Sequence, residues 1–179
     1  MRVVSGSARG RKLKEFSGND IRPTSDMVKE SVFNIIQFDI EGRKVLDLFA
    51  GTGQLGIEAL SRGAESVVFV DSRQEAVKLV WENLKTCGFD YQAQVLLRDA
   101  MRYLDEEGRF DLIFIDPPYD AGMMGEILRK ITEVDKLNTN GIIICEMEDN
   151  STAPDVAPPY SLMKEYRYGR AKIVRYERS

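Results

Sequence analysis

The stretch Lys44-Val45-Leu46-Asp47-Leu48-Phe49-Ala50-Gly51-Thr52-Gly53-Gln54-Leu55-Gly56 decides the fold. A short apolar run, Lys44–Phe49, turns into a glycine-rich segment with the spacing G-x-G-x-x-G, which leads directly into a helical pattern closed by Gly63. Strand, tight turn and helix in that order open a βαβ unit. The glycines allow the sharp turn and let a ligand approach the backbone. The helix that follows offers free N–H groups at its first turn. The glycine spacing alone is weak evidence for a nucleotide-like ligand, and its position between strand and helix strengthens it.

Outward from this unit the alternation continues. Gln54–Arg62 reads as a helix, and Ser66–Val70 as a strand stopped by Asp71. Arg73–Thr86 reads as a helix with Ala76, Val77, Val80 and Leu84 on one face. Gln94–Leu97 is a strand, Met101–Glu107 a short helix, and Phe110–Ile115 a strand stopped by Pro117-Pro118. Met123–Val134 is a helix and Gly141–Glu146 a fifth strand. Strands alternating with helices predict right-handed crossovers and a mostly parallel sheet. The end of the chain differs. After the proline-rich loop Asn150–Pro159, Ser161–Tyr168 and Ala171–Glu177 are joined by Gly169-Arg170 and read as an antiparallel hairpin. The predicted class is therefore α/β, a Rossmann-like, seven-stranded, mostly parallel sheet with a C-terminal antiparallel hairpin.

Upstream the composition shifts. Met1–Lys14 carries Arg2, Arg9, Arg11, Lys12 and Lys14 and no acid, with Gly6 and Gly10 interrupting it. It reads as a short extended segment at Arg2–Ser5 followed by a flexible basic loop. Pro23 marks a boundary. Thr24 or Ser25 caps the next helix, in which Val28, Val32, Ile35 and Ile36 recur at helical spacing until about Gln37. The expected organisation is a basic N-terminal extension over 1–22 and an α/β domain over 23–179. A chain of 179 residues suits one domain of this kind.

Composition excludes several chemistries. The net charge of −4 means that any nucleic-acid contact must come from a local patch such as the basic N-terminus. There is no histidine, which removes Ser-His-Asp and Cys-His catalysis and the usual imidazole metal ligands. Cys87 and Cys145 sit in apolar runs and read as small buried hydrophobes, with neither a disulfide framework nor a zinc site implied. No apolar leader and no membrane-length window stand out, so the expected setting is a reducing cytoplasm.

Three acids mark strand ends where ligands of open parallel sheets bind. Asp71 lies 20 residues beyond Gly51, where a carboxylate accepts from both ribose hydroxyls of an adenosine, whether in a nicotinamide dinucleotide or in S-adenosylmethionine (SAM). Asp99-Ala100 follows the third strand. There a carboxylate can accept from an adenine amino group and the Ala100 N–H can serve a ring nitrogen, although Asp at a helix start is also an ordinary cap. The decisive motif is Asp116-Pro117-Pro118-Tyr119 after the fourth strand. An exocyclic amino nitrogen is planar and poorly nucleophilic. The Asp116 carboxylate and the Pro117 carbonyl can hold its two hydrogens and favour a pyramidal nitrogen, with the Pro-Pro turn fixing their direction. Tyr119 offers a flat face on which a base can stack. This is the signature of amino-methyltransferases.

The likeness extends along nearly the whole chain. Arg9-Gly10-Arg11-Lys12-Leu13, Arg22 to Asn34, Asp47 to Gly56, Glu58-Ala59-Leu60-Ser61-Arg62-Gly63-Ala64 and Asp116 to Tyr119 together resemble the RsmD-type family of small-subunit (16S) ribosomal RNA guanine-N2 methyltransferases. Thr52 and Tyr119 stand where that family often has Ser and Phe, and both changes keep size and chemistry. The resemblance implies SAM as cofactor, held by Asp47, Phe49, Gly51, Gly53, Asp71, Ser72, Asp99 and Ala100. It implies Asp116, Pro117, Pro118 and Tyr119 around the guanine, and direct in-line methyl transfer with no metal. It further implies ribosomal RNA as partner, free or within an assembling small subunit, with Arg9, Arg11, Lys12 and Arg22 on its phosphates. Arg22-Pro23-Thr24 is a candidate closure over the methionine end of SAM. The expected protein is a monomer without a membrane partner.

Other readings remain open on sequence. Adenine amino methylation of DNA or RNA uses the same Asp-Pro-Pro-Tyr chemistry, though its enzymes usually carry a sizeable target-recognition domain for which this chain has no room. A nicotinamide-dependent oxidoreductase explains the glycines and Asp71 but not Asp116–Tyr119. A non-catalytic RNA-binding module is opposed by the intact acceptor and stacking residues.

Overall fold

The computed structural model describes residues 1–18, 26–118 and 122–179. Helix α1 spans Asp26–Ile35, β1 Lys44–Leu48, α2 Gln54–Ser61, β2 Ser66–Asp71 and α3 Gln74–Cys87. A 3-10 turn at Asp90–Gln92 precedes β3 (Ala93–Leu97), followed by α4 (Ala100–Leu104), β4 (Phe110–Ile115) and α5 (Met123–Glu133). The chain ends in β5 (Leu137–Glu148), β6 (Tyr160–Tyr168) and β7 (Ala171–Arg178).

The sheet has seven strands in the order β3-β2-β1-β4-β5-β7-β6. β1 to β5 pair in parallel, and β7 runs antiparallel between β5 and β6. This is the predicted class. Successive side chains along each strand face opposite sides of the sheet, and both faces are covered. Val45, Phe69, Leu112, Phe114 and Ile142 pack on the face holding α1, α2 and α3. Leu46, Leu48, Val70, Ile113, Ile115 and Ile143 pack on the face holding α4 and α5. Central strands buried on both faces read as continuous apolar runs, as β4 and the middle of β5 do. Cys145 is buried in the second core layer, where burial pushes its thiol up from its ordinary range, and Cys87 is half-buried.

Two elements differ from expectation. β5 starts four residues early, at Leu137. The pairing jumps from Phe110↔Leu137 to Leu112↔Ile142, and the polar residues between hide the strand from a hydrophobicity reading. Asn138 lies there with its amide on Asp111 Oδ1 at 2.9 Å. α4 begins at Ala100 because Asp99 caps it through Arg102 N, at 3.1 Å. It stops at Leu104, ahead of the run Asp105-Glu106-Glu107, whose charges oppose the negative end of a helix.

The largest correction concerns the N-terminus. Residues read as a flexible loop fold back as a tight hairpin, with Arg2 bridged to Lys12 and Val3 N on Arg11 O at 3.0 Å. Val3, Ala8 and Leu13 are buried. Glu58 of α2 accepts from Val4 N at 2.8 Å and Ser5 N at 2.9 Å. Ser61 accepts from Ser7 N and Ala8 N, and donates to Ser5 O. At Gly6, with φ +82, a Cβ would lie 1.8 Å from Ser61 O, so only glycine lets the hairpin sit this close to α2. The expected caps Thr24 and Ser25 lie outside the described residues.

Candidate cofactor and base site

The strand order reverses between β1 and β4, and a crevice at that point is where open α/β sheets bind ligands. The register of the central strands brings three acids to it. Leu48 pairs with Val70 on one side and Ile115 on the other. Asp71 and Asp116 therefore both stand one step further on, flanking the level of Phe49. Asp47 lies on the same side of the sheet as Phe69 and Phe114, its register partners. Asp47 is buried and accepts from Gly56 N in the first turn of α2, at 3.0 Å. Burial raises its pKa, the Gly56 hydrogen bond partly offsets this, and repulsion from Asp116 and Asp71 adds to it, so the carboxyl is pushed up to about 8.

The glycine-rich turn is built around these acids. Phe49 adopts φ 68, a left-handed conformation that strains a bulky residue. It is held there by Ala50 N on Val70 O at 3.0 Å, and its ring packs against the α4/α5 face. Gly51 N donates to Asp71 Oδ2 at 2.9 Å, and the space beside its Cα is open. Gly53 has φ +80 and closes the turn through Ala50 O. At Gly56 a Cβ would fall 2.3 Å from the Phe69 ring, so this glycine sets the close packing of α2 on the sheet. Gln54, the first residue of α2, buries a side-chain oxygen that has no hydrogen-bond partner.

Asp71 is almost enclosed by donors. Its Oδ1 accepts from Arg73 N and Arg73 Nε, each at 3.0 Å. Its Oδ2 accepts from Gly51 N at 2.9 Å and Arg73 Nη2 at 3.1 Å. Ser72 is exposed beside it. Asp99 is exposed as the cap of α4 and Ala100 is buried at the helix start, so both stand after β3 where the sequence put them. Asp116 and Pro117 are half-buried at the mouth of the crevice and Pro118 is exposed. Tyr119, Arg22, Pro23 and Thr24 lie outside the described residues.

Arg9, Arg11 and Lys12 are exposed on the N-terminal hairpin. Among the described residues, no carboxylate comes within ion-pair distance of these three. Sequence reasoning missed Arg73, Gln54 and Asn83. The Asn83 amide donates to Thr52 O at 2.9 Å and Lys14 O at 3.1 Å, and its carbonyl takes Lys14 N, so it ties the hairpin to the glycine-rich turn. An asparagine in the third turn of an amphipathic helix carries no such signal. The charge of Arg73 next to a strand-end acid is visible in the sequence, but not that its side chain turns back onto that carboxylate.

The residues fit an adenosine cofactor bearing positive charge. A dinucleotide places its pyrophosphate on the N–H groups of the turn and helix. Here Gly51 N already serves the Asp71 carboxylate and Gly56 N the Asp47 carboxyl, and the charges of Asp71 and Asp116 at the crevice repel phosphate and attract a cation.

Residues 1–177 match the family model described as Conserved hypothetical protein 95. The chain is 41% identical over 182 residues, with 99% of each chain covered, to "Putative rRNA methyltransferase YlbH" of Bacillus subtilis (strain 168). It is 32% identical over 179 residues to "Ribosomal RNA small subunit methyltransferase D" of Escherichia coli (strain K12), covering 99% of this chain and 90% of the relative. The solved structure described as "Putative methyltransferase yhhF from Escherichia coli" superposes with a TM-score of 0.89 at 30% identity, covering 100% of this chain and 98% of the other.

Proposed function

The chain belongs to the Conserved hypothetical protein 95 family, and on that premise we propose that it transfers a methyl group from SAM to the exocyclic N2 of a guanine in small-subunit ribosomal RNA. The observation that carries the cofactor half of this reading is the convergence of Asp47, Asp71 and Asp116 on a glycine-rich turn whose N–H groups are already engaged. SAM, when bound, supplies a sulfonium methyl that is electrophilic without help from a metal.

The chain's own residues do the rest by proximity and orientation. Asp71 takes the ribose, Asp99 and the Ala100 N–H take the adenine, and Phe49, Gly51, Gly53 and Ser72 line the approach. Asp71 and Asp116 set the negative potential that favours the cation, and the buried Asp47 holds the glycine-rich turn onto α2 through Gly56 N. Asp116 and the Pro117 carbonyl accept the two hydrogens of the target amino group, and Pro118 fixes the turn that directs them. Tyr119 stacks on the base. Arg9, Arg11, Lys12 and Arg22 take RNA phosphates, so that the basic segment 1–22 serves the substrate and 23–179 the chemistry. A cytoplasmic monomer is sufficient for this scheme. Among the described residues no helix is long and apolar enough to cross a membrane.

The test is methyl transfer from labelled SAM to 16S ribosomal RNA taken from a strain lacking this protein, followed by nucleoside mass spectrometry. The expected product is N2-methylguanosine at one site. A label on adenine N6 would move the assignment to the adenine class, and no label on RNA or subunits would refute the substrate.

A further inference from the structure

The structure assigns to Arg73 a role in cofactor binding that the sequence did not suggest: we propose that its guanidinium fork occupies the two acceptor positions of Asp71 that a ribose diol needs, so that the cofactor binds by displacing it. The inference rests on the adenosine-cofactor reading of the crevice.

An ionised carboxylate offers about four acceptor positions. At Asp71 all four are taken by protein donors, two on each oxygen. Two of the donors, Gly51 N and Arg73 N, are backbone groups fixed by the glycine-rich turn and by the start of α3. The other two, Nε and Nη2 of Arg73, belong to one side chain. A ribose diol brings two O–H donors, so it replaces the fork one for one and leaves the backbone donors in place.

The two partners differ in freedom. The Asp71 side chain is 6% exposed and the Arg73 side chain 46% exposed, so the carboxylate stays and water can receive the guanidinium. The fork is a charge-assisted bidentate contact. Asp71 pulls the Arg73 pKa up mainly through that hydrogen bonding, with burial opposing. The Phe16 ring covers the guanidinium from the hairpin side, with Cζ 5.0 Å from its centroid. The arrangement keeps a buried carboxylate paired and oriented until a ligand arrives, at the cost of competing with that ligand.

Two roles for Arg73 give opposite signs. A residue that stays in place to orient Asp71 is lost in Arg73→Ala, and binding weakens. A residue that must leave is a competitor, and its removal tightens binding. The experiment is titration calorimetry of the full chain with S-adenosylhomocysteine and with its 2′-deoxy analogue, for wild type, Arg73→Ala and Arg73→Lys. Arg73→Ala is expected to bind S-adenosylhomocysteine roughly three- to tenfold more tightly, with Arg73→Lys between it and wild type because an ammonium cannot form the fork. The gain must be smaller for the 2′-deoxy analogue, which brings one fewer donor to Asp71. An equal gain for both ligands would reduce Arg73 to a general charge effect, and an unchanged or weaker affinity in Arg73→Ala would overturn displacement. If wild type and both variants bind neither ligand, the cofactor reading itself fails.

Discussion

At the scale of single residues, the buried Asp47 and the half-buried Asp116 have different parts in the proposed scheme. Asp47 is pushed up to about 8 from an ordinary 3.8, chiefly by burial. The folded state thus binds a proton that the unfolded chain has released between about pH 4 and pH 8, so stability falls as pH rises through that window and levels off above it. Asp47→Asn retains an acceptor for Gly56 N and removes the titration. Urea unfolding from pH 5 to pH 8 should therefore show the wild type losing stability relative to Asp47→Asn, and parallel profiles would contradict the assignment. In the proposed scheme Asp116 belongs to the chemistry. Asp116→Ala should slow single-turnover methyl transfer by roughly a hundredfold or more, equivalent to about 2.7 kcal/mol, while SAM affinity measured by calorimetry changes little. Near-normal transfer would mean that another group holds the amino nitrogen.

At the scale of elements, α2 serves both sides of the protein. Its N-terminal turn is tied to Asp47 through Gly56 N, on the side of the proposed cofactor crevice, and its body carries the hairpin through Glu58 and Ser61. Glu58 is fully buried, accepts from two backbone N–H groups and from Arg62 Nε at 3.0 Å, and lies 3.8 Å from the Lys29 ammonium. Lys29 in turn donates to Arg2 O at 2.5 Å, and burial holds its pKa below the ordinary lysine value. Glu58→Ala leaves two backbone amides without their acceptor and the Lys29 ammonium without its counter-ion. Breaking a buried pair in this way costs about 3–5 kcal/mol, and chemical denaturation should show a loss of that order. Glu58→Gln, which keeps one acceptor oxygen, should lose less. A loss within the range of a surface substitution would show that the hairpin does not depend on this contact.

At the scale of the whole molecule, charge is distributed against the average. The chain is acidic overall, with a net charge of −4, yet its first fourteen residues hold five basic side chains and no acid. The fold places these cations on a hydrogen-bonded hairpin beside the crevice turn, which Asn83 links to it. Replacing Arg9 and Arg11 by Gln touches side chains that are exposed, so thermal unfolding should be unchanged. The salt dependence of RNA binding should flatten by roughly 0.7–0.9 in slope for each phosphate contact removed. Target and unrelated RNA should weaken alike, since phosphate contacts carry no sequence information. An unchanged slope would assign these residues a different role.

The sequence by itself determined the sheet class, the glycine-rich turn and the strand-end acids, because each is a local pattern. Apolar runs of strand length alternate with helical spacing, and Asp71, Asp99 and Asp116 stop their strands at identifiable positions. What it could not determine depends on which strands are neighbours. That Asp47, Asp71 and Asp116 share one crevice follows from β1 lying between β2 and β4, and only this neighbourhood separates a site for a cation from one for a pyrophosphate. The same holds for the basic N-terminus. Glycines and arginines read as a loose tail when only composition is considered. Val3, Ala8 and Leu13 bury only because α1, α2 and α3 present a surface for them, and Gly6 is required because Ser61, 55 residues along the chain, comes within touching distance of it. Arg73 shows the limit most clearly. Its charge was visible from the start, but its two hydrogen bonds to a buried carboxylate exist only where the end of β2 meets the start of α3.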